Sequence, residues 1–115
     1  MRRRTLLATS AASLAGAPLS AFAQAAYPNR PVRLIAPFPP GGTSDVLGRL
    51  LAQKMSDGLG QPVTVANRPG AAANIGHELA ARAPADGYTL ILSNSSTVVN
   101  NPHLYKKMPF DRIRV

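Results

Sequence analysis

The sequence predicts an α/β fold in which short parallel strands alternate with helices. Three observations carry this. The apolar runs Val32 to Ala36, Val63 to Ala66 and Tyr88 to Ser93 have the length and composition of buried strands. Between them lie two stretches of helical periodicity with clear stop signals. The segments that lead from strand to helix are rich in Pro, Gly and Asn, as crossover loops are. The order is β-α-β-α-β, and connections of this length give right-handed crossovers and a parallel sheet covered by helices.

The first strand stops at Pro37, and "PFPPGGTSD", Pro37 to Asp45, follows. A helix then begins at Asp45. Val46, Leu47, Leu50, Leu51, Met55 and Leu59 fall on its apolar face, with Arg49, Gln53 and Asp57 away from the centre of that stripe. Thr43 or Ser44 is the expected N-cap. Gly60 ends the helix and Pro62 prevents its continuation. The second strand leads into the turn "NRPG", Asn67 to Gly70. An Ala-rich helix follows, from Ala72 or Asn74 to Ala83, with Ile75 and Leu79 expected inward. Pro84 and Asp86-Gly87 end it. After the third strand a polar loop, "NSSTVVNN", runs into "PHLYKK", one expected helical turn.

Composition narrows the function classes. The 115 residues allow at most one small domain. With no cysteine there is no disulfide, thiol nucleophile or Cys-based zinc site. The two histidines, His77 and His103, are far apart in the chain and read as surface residues, so neither a metal nor a cofactor is expected. No Gly-x-Ser-x-Gly elbow occurs and no base stands beside any serine in sequence, which gives hydrolase chemistry no support. The net charge is +8. Part of it sits in an export signal over residues 1–23: Arg2, Arg3 and Arg4, then a stretch of small residues and leucines, then Ala21-Phe22-Ala23 as a cleavage site. Ala23-Gln24-Ala25 is a second such site. Arg3-Arg4-Thr5-Leu6-Leu7 also resembles a twin-arginine signal, although Arg2 stands where that motif has Ser or Thr, so Sec and Tat both stay open. The remaining basic residues are scattered without interleaved aromatics, which argues against nucleic acid and suits a cleft for an organic anion.

In a parallel sheet, ligands bind at the carboxyl ends of the strands. The loops Pro37–Ser44, Asn67–Ala73 and Asn94–Asn100 should therefore line one rim. In the first, prolines preset the turn and glycines admit a ligand to the backbone. The N–H groups that open the helix are unpaired, and the helix dipole favours an anion there. Phe38, Gly41, Gly42, Thr43, Ser44 and Asp45 are the candidate binding residues of this loop. The residues equally permit a structural turn, with Asp45 serving the helix dipole. Ser93, Asn94, Ser95 and Ser96 offer donors and acceptors from the third strand's end. Asn74 is a further candidate on the rim, or an N-cap.

Four segments in register carry a family resemblance: "YPNRPVRLIAPFPPGGTSDVLGRLLAQKM", "LGQPVTVANRPGAAANIG", "APADGYTLIL" and "NPHLYKKMPFD". From Tyr27 to Asp111 the chain resembles the periplasmic solute-binding proteins of tripartite tricarboxylate transporters, the Bug family. That resemblance implies a type II periplasmic binding fold of two α/β lobes, with residues 24–115 the N-terminal part of lobe 1 and the second lobe absent. It implies a small organic carboxylate in the cleft, no enzymatic activity, and a monomer if complete. The partner would be the membrane permease of the transporter, or a sensor kinase as in some members. The tail Arg112 to Val115 departs from the family pattern, so a non-functional truncated gene product is the alternative expectation.

Export should leave a periplasmic product that starts at Gln24 or Ala26. Mass spectrometry of the periplasmic fraction checks this, and recovery of only the uncleaved cytoplasmic form would overturn it.

Overall fold

The computed structural model describes residues 26–111, so the expected signal at 1–23 and the tail at 112–115 lie outside the described residues. Three strands form one parallel sheet in the order β2-β1-β3. β1 (Val32–Ala36) is central, β2 (Val63–Asn67) pairs along its whole length, and β3 (Thr89–Ile91) pairs on the other side. Val32 faces Val63 and Ala36 faces Asn67; Arg33 faces Thr89 and Ile35 faces Ile91. A central strand of a covered parallel sheet is buried on both faces, which is why Val32, Leu34, Ile35 and Ala36 are all buried.

The two crossover helices are α1 (Thr43–Leu59), between β1 and β2, and α2 (Asn74–Ala81), between β2 and β3. Side chains alternate across a strand. Val32 and Leu34 pack with Ala52 of α1 and with Val63. Pro37, of opposite parity, touches Gly76 of α2. The helices therefore cover opposite faces.

The inward face of α1 differs from the expected one. Asp45, Gly48 and Ala52 are buried, with Met55, Ser56 and Leu59 half-buried behind them. Val46, Leu47, Leu50 and Leu51 are exposed, Val46 to 61%. The reason is the small inward residues. A Cβ built on Gly48 would already stand in van der Waals contact with Leu92, 3.5 Å from its Cδ2, so the helix lies close to the sheet along the Asp45–Gly48–Ala52 stripe. The N-cap also differs: it is Gly42, with no side-chain cap, rather than Thr43 or Ser44. The C-terminus ends as expected at Gly60, left-handed at φ 67°, its N–H donating to Ser56 O at 3.0 Å. Ser56 Oγ donates to Ala52 O and accepts from Val63 N–H at 2.8 Å, which ties the end of α1 to the start of β2.

α2 is also rotated from the expectation. Ile75 is exposed and Leu79 half-buried; Asn74, Gly76 and His77 face inward. Before α2, Ala71, Ala72 and Ala73 form a tight turn with φ of 46°, 53° and 73°, all in the left-handed region. After β3, a wide helical turn over Ser96–Asn100 runs into α3 (Asn101–Leu104).

Gly76 has no room for a side chain. A Cβ there would lie 2.6 Å from Pro37 Cβ and 3.1 Å from Arg68 O. Gly76→Ala should cost about 1–3 kcal/mol through overpacking. Urea unfolding of the two proteins checks this, and an unchanged midpoint would show that α2 can retreat freely from β1.

Candidate functional site

The strand order 2-1-3 reverses at β1, so the crevice of the sheet opens between the loops that leave β1 and β3. On the β1 side stands the N-terminus of α1. Asp45 and Val46 donate their N–H groups to Gly42 O at 3.0 and 3.1 Å, and Gly41 N–H donates to Asp45 Oδ2 at 2.9 Å. Pro40 and Gly41 form a turn that brings the Gly42 N–H back toward Pro39 O, and among the described residues the N–H groups of Thr43 and Ser44 meet no acceptor. Two free backbone donors and the positive end of a helix of 17 residues thus stand at the carboxyl end of β1. Gly41 holds φ 86°, a conformation that glycine adopts at no steric cost.

Asp45 beside an anion site is a contradiction that the geometry resolves. The residue is only 4% exposed and its carboxylate is turned inward. Oδ2 accepts from Gly41 N–H and from Arg49 Nε at 3.0 Å, while Oδ1 accepts from Asn67 Nδ2 at 2.9 Å. Asn67 Nδ2 also donates to Phe38 O at 3.2 Å. Asp45 therefore ties the loop to the end of β2. Arg49, expected to lie clear of the helix's packed face, is a member of this cluster and covers its outer side. Phe38 is half-buried with its carbonyl in the same cluster; Thr43 is exposed and Ser44 half-buried.

On the β3 side the last sheet bond is Leu92 N–H to Ile35 O at 2.9 Å, so Ser93 emerges beside Pro37. Asn94 Oδ1 accepts from Thr97 N–H and Thr97 Oγ1, both at 3.0 Å, and so caps the turn that follows. Ser95 and Ser96 are exposed on that turn. Asn74 is neither an N-cap nor on the open rim. It is the first residue of α2 after Ala73, buried to 3% exposure, with Oδ1 accepting from Asn101 Nδ2 at 2.8 Å. Asn101 Nδ2 also donates to Ala72 O at 2.8 Å, which holds the left-handed alanine turn.

His77 is not a surface residue. It is 1% exposed, its ring stacked on Phe110 with centroids 5.2 Å apart. Nδ1 lies 2.9 Å from Ala73 O, and Nε2 lies 2.8 Å from Ser93 Oγ. A base thus stands beside a serine 16 residues away in the chain, an arrangement that only the crossover from α2 to β3 creates. His103 is exposed, as expected. Among the described residues no group of three or more His, Cys, Asp or Glu gathers that could hold a metal ion. A hollow of about 390 Å³ opens elsewhere, alongside β3, lined by Ala80, Ala83, Pro84, Thr89 and Ile91 among others. It has no charged side chain and does not match an anion.

The Gly41 N–H, Asn67 and Arg49 together lower the Asp45 carboxyl from 3.8 to about 2. A depressed folded value stabilises the fold above the unfolded value. The contribution is complete above about pH 4 and is lost as pH falls through about 2. Asp45→Asn should therefore be less stable than the parent at neutral pH, with the gap closing between pH 4 and 2. Thermal melts of both proteins across that range check this, and a gap independent of pH would remove Asp45's charge from the account.

Comparison with known proteins identifies the family and the fold. Residues 47–115 match the model of the tripartite tricarboxylate transporter family receptor. Protein BugT of Bordetella pertussis is 50% identical over 97 residues, which cover 84% of this chain and 30% of BugT. The periplasmic binding protein BugD superposes with a TM-score of 0.71 at 40% identity, over 75% of this chain and 28% of BugD. Rpa4515 of R. palustris, solved with adipate, gives 0.72 at 39% identity, over 76% of this chain and 29% of its own. The chain thus spans about a third of the length of such relatives, and its three-stranded unit corresponds to part of the periplasmic binding fold. It belongs to the tripartite tricarboxylate transporter receptor family.

Proposed function

We propose that the chain serves as part of an exported solute-binding protein that captures a small organic carboxylate and delivers it to the membrane permease of a tripartite tricarboxylate transporter. Binding, not catalysis, is its task. The observation that carries this reading is the pair of unpaired N–H groups at Thr43 and Ser44, next to the exposed Gly42 at the carboxyl end of the central strand. A carboxylate oxygen matches such donors in charge and in geometry, and the preset prolines leave little loop entropy to lose on binding. Family membership and the adipate held by the R. palustris relative support the same ligand class. The rest of the candidate pocket is assigned to Ser93, Asn94, Ser95 and Ser96 across the crevice, and export to the Arg-rich leader. Asn74, committed to Asn101, supports the pocket from behind.

Gly42 provides a clean test. Its backbone is extended, at φ −81° and ψ 172°, and a Cβ there would meet only Pro39 O at 3.7 Å. Gly42→Val is therefore tolerated by the fold, while its side chain covers the donors. Adipate titrated into the isotopically labelled chain should shift the amide signals of Gly42, Thr43 and Ser44. Gly42→Val should weaken binding on the order of ten-fold or more, as loss of a hydrogen bond to a charged group does. Gln53→Ala, exposed on the same helix, is the control. Binding by Gly42→Val at the parent's strength, or adipate shifts confined to other residues, would show that the loop is only a turn.

A further inference from the structure

The His77–Ser93 pair fixes which way a hydrogen points at the crevice. Ala73 O can only accept, so the hydrogen of a neutral His77 ring sits on Nδ1, and Nε2 is a lone pair. The ring cannot exchange its two nitrogens without giving up the Ala73 bond, and Phe110 stacks on it. The Ser93 hydroxyl must then donate to Nε2 at 2.8 Å. Its other acceptor, Asn94 O, lies at a poor 3.4 Å. With its one hydrogen committed, Ser93 Oγ offers the crevice lone pairs only. At the end of the neighbouring strand the free backbone N–H groups of Thr43 and Ser44 can only donate. One side of the site asks for an anion and the other for a hydrogen-bond donor.

We infer that the ligand class is carboxylates that also carry a hydroxyl or ammonium group, with Ser93 the specificity-determining contact and His77 the residue that positions its hydroxyl. This rests on the carboxylate reading of the α1 N-terminus. A plain dicarboxylate satisfies the helix end but brings no donor to Ser93, and a carboxylate oxygen set there meets lone pairs. Ser93 is exposed in the free chain, so the discrimination arises once a bound ligand covers it: an acceptor then left without a donor is a cost that the hydroxylated ligand avoids.

Malate and succinate differ by one hydroxyl and make the test. Both are titrated into the full chain at neutral pH and followed by the amide shifts of Gly42 to Ser44. Malate should bind about ten-fold more tightly than succinate. Ser93→Ala should bring malate to the level of succinate while succinate itself is unchanged. His77→Leu frees the Ser93 hydroxyl to rotate and should lower the same ratio. Equal affinities in the parent, or an unaltered ratio in Ser93→Ala, overturn this inference and leave the carboxylate reading standing. If neither acid shifts those amides, the carboxylate reading fails and this inference falls with it. An equal loss of both ligands in His77→Leu would overturn the positioning role given to His77.

Discussion

The Asp45 carboxylate is the point on which the rim depends. It lies in the first turn of α1, where an acid favours the helix dipole. Its oxygens are satisfied by Gly41 N–H, Arg49 and Asn67, which belong to the loop, the helix and the end of β2. A buried carboxylate without such partners would be costly, and with them it fixes three segments relative to one another. By taking the N–H of Gly41 it also decides which donors stay free. The ones left without an acceptor are the N–H groups of Thr43 and Ser44, at the carboxyl end of the central strand.

A cluster of this kind requires the helix to lie close to the sheet. Gly48 and Ala52, the next inward positions of α1, permit that approach, since a Cβ at 48 would already be in van der Waals contact with Leu92 and a long side chain there would have to displace it. The consequence is the inverted burial of α1. Its larger apolar residues, Val46, Leu47, Leu50 and Leu51, cannot share a contact sized for glycine and alanine, so they face outward. The same logic recurs in α2, where Gly76 lets the helix reach Pro37 and thereby brings His77 against the end of β3. Close packing at small residues thus serves the site as much as the core.

This explains what the sequence could disclose. The strands, the stop at Gly60, the parallel order and the gathering of three loops at one rim follow from local patterns, and each is present. The helix faces were misread because a hydrophobic stripe is evidence of burial only where the neighbouring surface accepts large side chains. The open N–H groups of Thr43 and Ser44 were legible, since the first turn of a helix leaves such groups without an intrahelical partner. The roles of His77 and Asn101 were not. Ser93 lies 16 residues from His77, and Asn74 and Ala72 lie 27 and 29 from Asn101, so no spacing rule links them, whereas Arg49 meets Asp45 at the ordinary i,i+4 spacing of a helix.

The left-handed turn at Ala71 to Ala73 shows what those distant contacts achieve. For alanine, each left-handed residue costs roughly 1–2 kcal/mol. Local sequence offers no compensation, since glycine would be the natural choice at such φ values. Two side chains compensate instead: Asn101 donates to Ala72 O and His77 to Ala73 O. A net hydrogen bond is worth about 1 kcal/mol, and for the buried Ala73 an unpaired carbonyl would cost up to about 3 kcal/mol, so both donors help to hold the turn. The two donors have second duties at the site. Asn101 holds Asn74, and the bond that His77 gives to Ala73 is the one that leaves its other nitrogen free for Ser93. The strained turn therefore selects the tautomer of His77, and through it the acceptor that Ser93 turns toward the crevice.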